Sequence, residues 1–178
     1  MNNSSGTKQV CHADAPYPPI RVTAPNKYYA NILLVNYSGA VGELGAITQY
    51  FYHHLSLMEQ YADVSSTLEC ISIAEMHHLE MLGKLIVLLG GDPRYWIIRN
   101  NRPVYWNAKY LAYATELDKA LQSDIDDEHK AIEGYRNSIK LIDDPSIQAV
   151  LERIILDEQT HIKILNSMLK KYGTIKIG

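Results

Sequence analysis

Cysteine is scarce: Cys11 and Cys70 stand alone in 178 residues. They lie far apart and form no CxxC pair, and two are too few for a disulfide scaffold, so Cys70 reads as a small buried hydrophobe. Phenylalanine occurs once and tryptophan twice. Neither sign of charge dominates. A net charge of −3 leaves no basic footprint for nucleic acid and no polybasic membrane anchor. No apolar run reaches membrane-spanning length without Glu, Lys or His inside it. Residues 1–19 are polar and proline-bearing, without the apolar core of a secretory signal. These absences predict a reducing, cytoplasmic setting with no nucleic-acid and no membrane partner.

What is present suits one compact domain, with 47% hydrophobic and 21% charged residues. Tyrosine is over-used, at 13 residues, and a buried tyrosine hydroxyl needs a partner. Residues 1–26 are punctuated by Pro16, Pro18, Pro19 and Pro25 and read as an irregular arm. From Lys27 to about Ala62 an apolar stripe recurs at helical spacing, through Leu33, Tyr37, Val41, Leu44, Thr48, Phe51 and Leu55. Gly39, Gly42 and Gly45 fall inside it and are read as permitting close packing rather than breaking the helix. A second helix, with Asp63, Ser65 or Ser66 as N-cap, runs to Gly90-Gly91. A connection over about 91–112 follows, carrying two prolines, both tryptophans and an Asn-Asn pair. A third helix runs from about Ala108 or Tyr113 to Ile142, and a fourth, capped by Asp144 or Ser146, to about Lys171. Strand-period alternation of useful length is absent. Short joins make antiparallel neighbours and the long join spans the body, so the pattern predicts an all-α antiparallel four-helix bundle over residues 27–172. The one long crossover lies between the second and third helices, and a short tail covers 173–178.

The buried stripes carry residues that an apolar core should exclude. The second helix interrupts its stripe with Glu75-x-x-His78, and the fourth does the same with Glu158-x-x-His161. Residues i and i+3 share a helix face. The first and third helices each place one glutamate on their stripe, Glu43 and Glu128, with a tyrosine seven residues on, Tyr50 and Tyr135. One helical hairpin is thus used twice around a pseudo-two-fold axis. Four converging acids would repel and could not all stay ionised unpaired. Two divalent cations cancel the four carboxylate charges, and two neutral imidazoles complete the ligand set. Mixed carboxylate and imidazole donors suit Fe or Mn. The predicted metal ligands are therefore Glu43, Glu75, His78, Glu128, Glu158 and His161. Tyr50 and Tyr135 are the candidate catalytic side chains, redox-active or ligand-orienting; simple hydrogen bonding to a glutamate is the plain alternative.

These motifs resemble the ferritin-like superfamily, in its bacterioferritin, rubrerythrin and manganese-catalase branches. The likeness covers about residues 28–172 and is carried by Gly42-Glu43-Leu44, Glu75-Met76-His77-His78-Leu79-Glu80, Glu128 with Tyr135, and Asp157-Glu158-Gln159-Thr160-His161. It implies terminal ligation by Glu43 and Glu128, bridging by Glu75 and Glu158, and one metal held by each histidine. It also implies that Asp124 and Asp157 are carboxylates that orient the histidines. Rubrerythrins carry a further glutamate where this chain has Ala131, and a glutamate at the place of His161, so the ligand set is closer to bacterioferritin and manganese catalase. Met76 follows Glu75 as the haem-ligating methionine does in bacterioferritin; it reads as packing, and haem is not expected. Only 17 residues follow His161, too few for the extra helix of cage-forming ferritins, so a mineral-storing cage is not expected.

The implied activity is a dinuclear-metal oxidoreductase reacting with O2 or H2O2, of ferroxidase or peroxidase type, with Fe(II) a candidate substrate, in a homo-oligomer. The alternatives are a manganese catalase and a non-catalytic, metal-stabilised coat or structural subunit. His54 reads as a satisfied interior histidine, and His53, His77 and His129 as surface or crossover contacts.

Overall fold

The computed structural model describes residues 10–173, and side chains through residue 172. Five helices build the body: α1 Lys27–Ser38, α2 Glu43–Leu57, α3 Ala62–Leu88, α4 Leu117–Leu141 and α5 Pro145–Gly173. Both α1 and α2 pack along α3, α1 against its C-terminal half and α2 against its N-terminal half. They are one rod of a four-helix bundle, interrupted in the middle. The expectation of an unbroken first helix therefore fails at Gly39 and Gly42. A Cβ on Gly39 would stand 2.3 Å from the Val35 carbonyl oxygen, and one on Gly42 2.6 Å from that of Asn36. At these two positions the chain folds back on its own last turn, and only glycine fits. The restart makes Glu43 the first residue of α2 rather than a mid-helix residue.

The crossover also departs from expectation. It contains a two-stranded antiparallel ribbon, β1 Trp96–Arg99 and β2 Arg102–Tyr105, with Trp96 opposite Tyr105. Asn100 and Asn101, at φ 51° and 56°, form its two-residue turn. Asparagine tolerates the left-handed region, and two such residues in succession match the twist of a tight hairpin. The strands are four residues long, too short for alternation to register as a pattern. A single 3-10 turn, Ala108–Tyr110, precedes α4, which starts at Leu117 and so later than the sequence pattern suggests. At the other junction Asp144 Oδ1 accepts the backbone N–H groups of Ser146 (2.9 Å) and Ile147 (3.4 Å), satisfying the start of α5.

Two apolar clusters fill the bundle. One is built on Leu33, Leu82, Leu85, Leu89, Leu151 and Ile154; the other on Leu57, Val64, Leu68, Ile71, Leu121 and Leu165. Each fully buried side chain of this kind contributes about 1.5–3 kcal/mol. Between the clusters lies a layer of buried polar groups. No helix among the described residues is long and apolar enough to cross a membrane.

Cys11 and Cys70 form a disulfide, so neither is the isolated thiol that their number and spacing suggested. The 59-residue separation hid the pairing, and the bond removes the cysteine argument behind a reducing compartment. It also ties the N-terminal arm to α3, which is what makes the arm part of the body.

Candidate metal centre

The polar layer contains Glu43, Glu75, Glu128 and Glu158, none more than 4% exposed, with His78 and His161 at 0%. Their donor atoms fall into two groups of four: Glu43, Glu75, His78 and Glu158, and Glu75, Glu128, Glu158 and His161, each with all four atoms within 4.8 Å of one another. Glu75 and Glu158 belong to both groups. Each histidine turns Nδ1 inward. His78 Nδ1 lies 2.8 Å from Glu75 Oε2, 3.4 Å from Glu158 Oε1 and 3.7 Å from Glu43 Oε2. His161 Nδ1 lies 3.0 Å from Glu75 Oε1 and from Glu158 Oε2, and 3.2 Å from Glu128 Oε1.

A cation pair fits this arrangement. Glu75 Oε1, Glu158 Oε2 and His161 Nδ1 are buried, and although the nitrogen lies 3.0 Å from each oxygen, none of the three makes an aligned hydrogen bond among the described residues. Orphaned buried polar atoms are costly. Three of them facing one spot form a ligand cradle, and hard carboxylate with imidazole donors suits Fe or Mn. In the protein alone, protons balance the charge. Burial, then the charges of Glu75 and Glu158, push the Glu43 carboxyl well up. Burial, then Glu158 and Glu75, do the same to Glu128. Burial also opposes charge on Glu75, His78 and His161, but the neighbouring opposite charges win: Glu75 stays well below the usual carboxylate range and both imidazoles lie well above theirs.

The outward nitrogens of the two histidines have different partners. His78 Nε2 meets Asp157 Oδ2 at 2.9 Å, the orienting role expected of Asp157. His161 Nε2 meets the backbone carbonyl of Cys11 at 2.8 Å. Asp124 corrects the other half of that expectation. It faces His53 Nδ1 at 3.0 Å and accepts from Gln49 at 2.9 Å, not from a histidine of the cluster. His53 is fully buried and its Nε2 reaches the Ala112 carbonyl, so it joins α2, α4 and the crossover instead of lying at the surface. His54 bonds Ser65, while His77 and His129 are exposed.

Both candidate tyrosines are buried. The Tyr50 hydroxyl donates to Glu128 of the opposite hairpin, not to the glutamate of its own. Burial, then Glu128, hold its pKa well up, so it remains a phenol. The Tyr135 hydroxyl has no hydrogen-bond partner among the described residues. Met76 is 48% exposed on the outer face of α3. A cavity of about 30 Å³ reaches the four glutamates from the α1–α2 break, past Ala40, Val41, Tyr110 and Leu111. That is room for one or two water-sized molecules.

The residues that sequence reasoning missed are Cys11, Tyr17 and Arg153. Arg153 left a signal, a cation on the buried face of α5 one turn before Asp157. A backbone carbonyl such as that of Cys11 leaves none.

The sequence matches the ferritin-like domain over residues 41–175. The chain belongs to the ferritin-like family. A bacterioferritin from Brucella melitensis is 26% identical over 76% of this chain and 83% of its own length. Among solved structures, the manganese catalase KatB from Anabaena superposes with a TM-score of 0.81, at 26% identity, over 93% of this chain and 81% of its own. The Desulfovibrio desulfuricans bacterioferritin, which has a diiron site, gives a TM-score of 0.70 at 26% identity, over 85% of this chain and 86% of its own.

Proposed function

We propose that this chain is a dinuclear-metal oxidoreductase acting on O2 or H2O2. Glu43 and His78 would hold one ion, Glu128 and His161 the other, and Glu75 and Glu158 both. The observation that carries this reading is the interlocking of two four-donor groups through shared Glu75 and Glu158. When bound, such a pair supplies one-electron chemistry from each ion toward O2 or H2O2.

The protein's own residues supply the rest. Carboxylates can change denticity, so the two shared glutamates can follow a change in ion charge without a backbone shift. Tyr50 fixes one oxygen of Glu128 by hydrogen bonding. The small cavity admits diatomic or peroxide-sized molecules, and its apolar rim at Ala40, Val41 and Leu111 restricts water. Iron with ferroxidase or peroxidase activity follows the bacterioferritin likeness.

A second reading, manganese with peroxide disproportionation, is favoured by the likeness to KatB, which covers more of the chain at a higher TM-score. Elemental analysis of protein purified without added metal, followed by Fe(II) oxidation and peroxide consumption on the same sample, separates the two. Two ions per chain with one of these turnovers is the expected result. Stoichiometric metal with neither turnover would favour the non-catalytic, structural role.

A further inference from the structure

The two hairpins carry the same ligands at matched positions, yet their outward support differs, and the difference has a pattern. Asp157 directly precedes Glu158, and the matching position before Glu75 is Ala74, which cannot accept a hydrogen bond from a histidine through its side chain. Five residues before Glu158 stands Arg153; five before Glu75 stands Cys70. Both of these matched positions grip the N-terminal arm. Arg153 donates through Nε to the Ala15 carbonyl (2.9 Å) and through its terminal nitrogen to that of Ala13 (3.0 Å). Cys70 is joined to Cys11 by the disulfide.

Held at both points, the arm reaches one histidine directly and the other through Asp157. The Cys11 carbonyl takes His161 Nε2 directly. Asp157, already paired with Arg153 at 2.5 Å, also accepts from the Ala13 N–H (2.7 Å) and the Tyr17 hydroxyl (2.6 Å) while it meets His78. Tyr17 is fixed in turn by the Arg153 guanidinium, 4.0 Å from its ring centre, and by an edge contact with His77. Cys11 is 2% exposed, so the carbonyl works in a dry environment where a hydrogen bond orients strongly.

We infer that residues 11–17 are a built-in part of the metal centre: the Cys11 carbonyl, pinned by the Cys11–Cys70 disulfide, is a positioning group that holds His161 with Nδ1 toward the four carboxylates, as Asp157 does for His78. The inference rests on the dinuclear reading above. An imidazole that donates Nε2–H to a fixed acceptor keeps the Nδ1 lone pair free for an ion, and such outer partners are worth about 10–100-fold in metal affinity. The hairpin repeat lacks an acceptor for His161, and the disulfide supplies it from outside the repeat.

The test uses the full chain loaded with Mn(II) and follows release of each ion to excess chelator. In Cys70→Ala, one ion leaves about 10–100-fold faster than in the parent, while the ion beside His78 changes less because Asp157 and Arg153 remain on α5. Treating the loaded parent with a water-soluble phosphine reaches the same state without a substitution. The disulfide becomes two thiols as the phosphine takes the oxygen of one water, and reoxidation by oxidised glutathione, itself reduced to two thiols, restores slow release. This second arm decides the matter should Cys70→Ala not fold. Asp63→Asn, which loosens the same helix away from the arm, leaves both rates unchanged. Parent-like release of both ions from the phosphine-treated protein, or equal acceleration of both, overturns the inference and leaves the dinuclear reading standing. Uptake of fewer than two ions by the untreated parent overturns the dinuclear reading, and the inference with it.

Discussion

The hairpin of α2 and α3 and the hairpin of α4 and α5 offer the same glutamate, the same Glu-x-x-His and the same tyrosine, yet they are not equivalent. In the second, a continuous helix carries Glu128 at its middle; in the first, a glycine break puts Glu43 at a helix start. Tyr50 is bonded across the bundle to Glu128, while Tyr135 has no hydrogen-bond partner among the described residues. His78 is oriented by a side chain of α5, and His161 by a main-chain carbonyl of the arm. A duplicated pattern places the inward donors, because helix periodicity alone turns them to the core. What surrounds them on the outside is not duplicated, and there each half has found its own solution.

The sharpest way to break the comparison is through the donors that the halves share. Glu75→Ala and Glu158→Ala should each reduce the ion count from two to none, whereas Glu43→Ala and Glu128→Ala should each leave one ion, read by elemental analysis. Retention of both ions in either shared-donor variant would refute the ligand assignment. Next in size is Asp157→Ala, which strips the buried Arg153 of its partner and should cost about 3–5 kcal/mol in chemical denaturation of the metal-free protein. The tyrosines come third. Tyr50→Phe removes a buried hydrogen bond to the Glu128 carboxyl and should cost about 1–3 kcal/mol, while Tyr135→Phe removes a hydroxyl with no hydrogen-bond partner among the described residues and should be near neutral. Equal losses would mean that the halves are more alike than their hydrogen bonds suggest.

The smallest effect lies far from the centre, where Lys171 and Tyr172 of α5 meet Asp63 at the start of α3. Their hydrogen bonds, Lys171 first, hold the Asp63 carboxyl down at about 2 from an ordinary 3.8. A carboxyl depressed by folding stabilises the protein above its unfolded pKa, and that contribution is lost as pH falls from about 3.8 through about 2. Because Asp63 is exposed, solvent screening limits the contribution to below about 1 kcal/mol. The stability difference between the parent and Asp63→Asn should therefore shrink over this interval in urea titrations, and a difference independent of pH would remove the tie.

Much of the fold is legible in the sequence, because a 3.6-residue period over long segments survives local irregularity. The short ribbon at 96–105 is not, since four-residue strands carry too few side chains to establish a period. Propensity makes Gly39 and Gly42 packing positions, because it does not report whether a chain must fold back on its last turn. The place of Asp124 one turn before Glu128 points it, by resemblance, to a histidine of the cluster. In the folded chain His53 stands nearer, and a carboxylate bonds what it faces.

By itself, then, the sequence determined the number of rods, their order, and the meeting of four acids and two imidazoles at mid-bundle, all consequences of periodicity within single helices. Tertiary structure alone decided which ring nitrogen points inward, that Cys11 bonds Cys70, and that an arm far in sequence from both histidines supports them. Those outcomes depend on contacts between segments distant in sequence, several made by backbone atoms that every residue possesses, and no residue pattern encodes where such atoms come to rest.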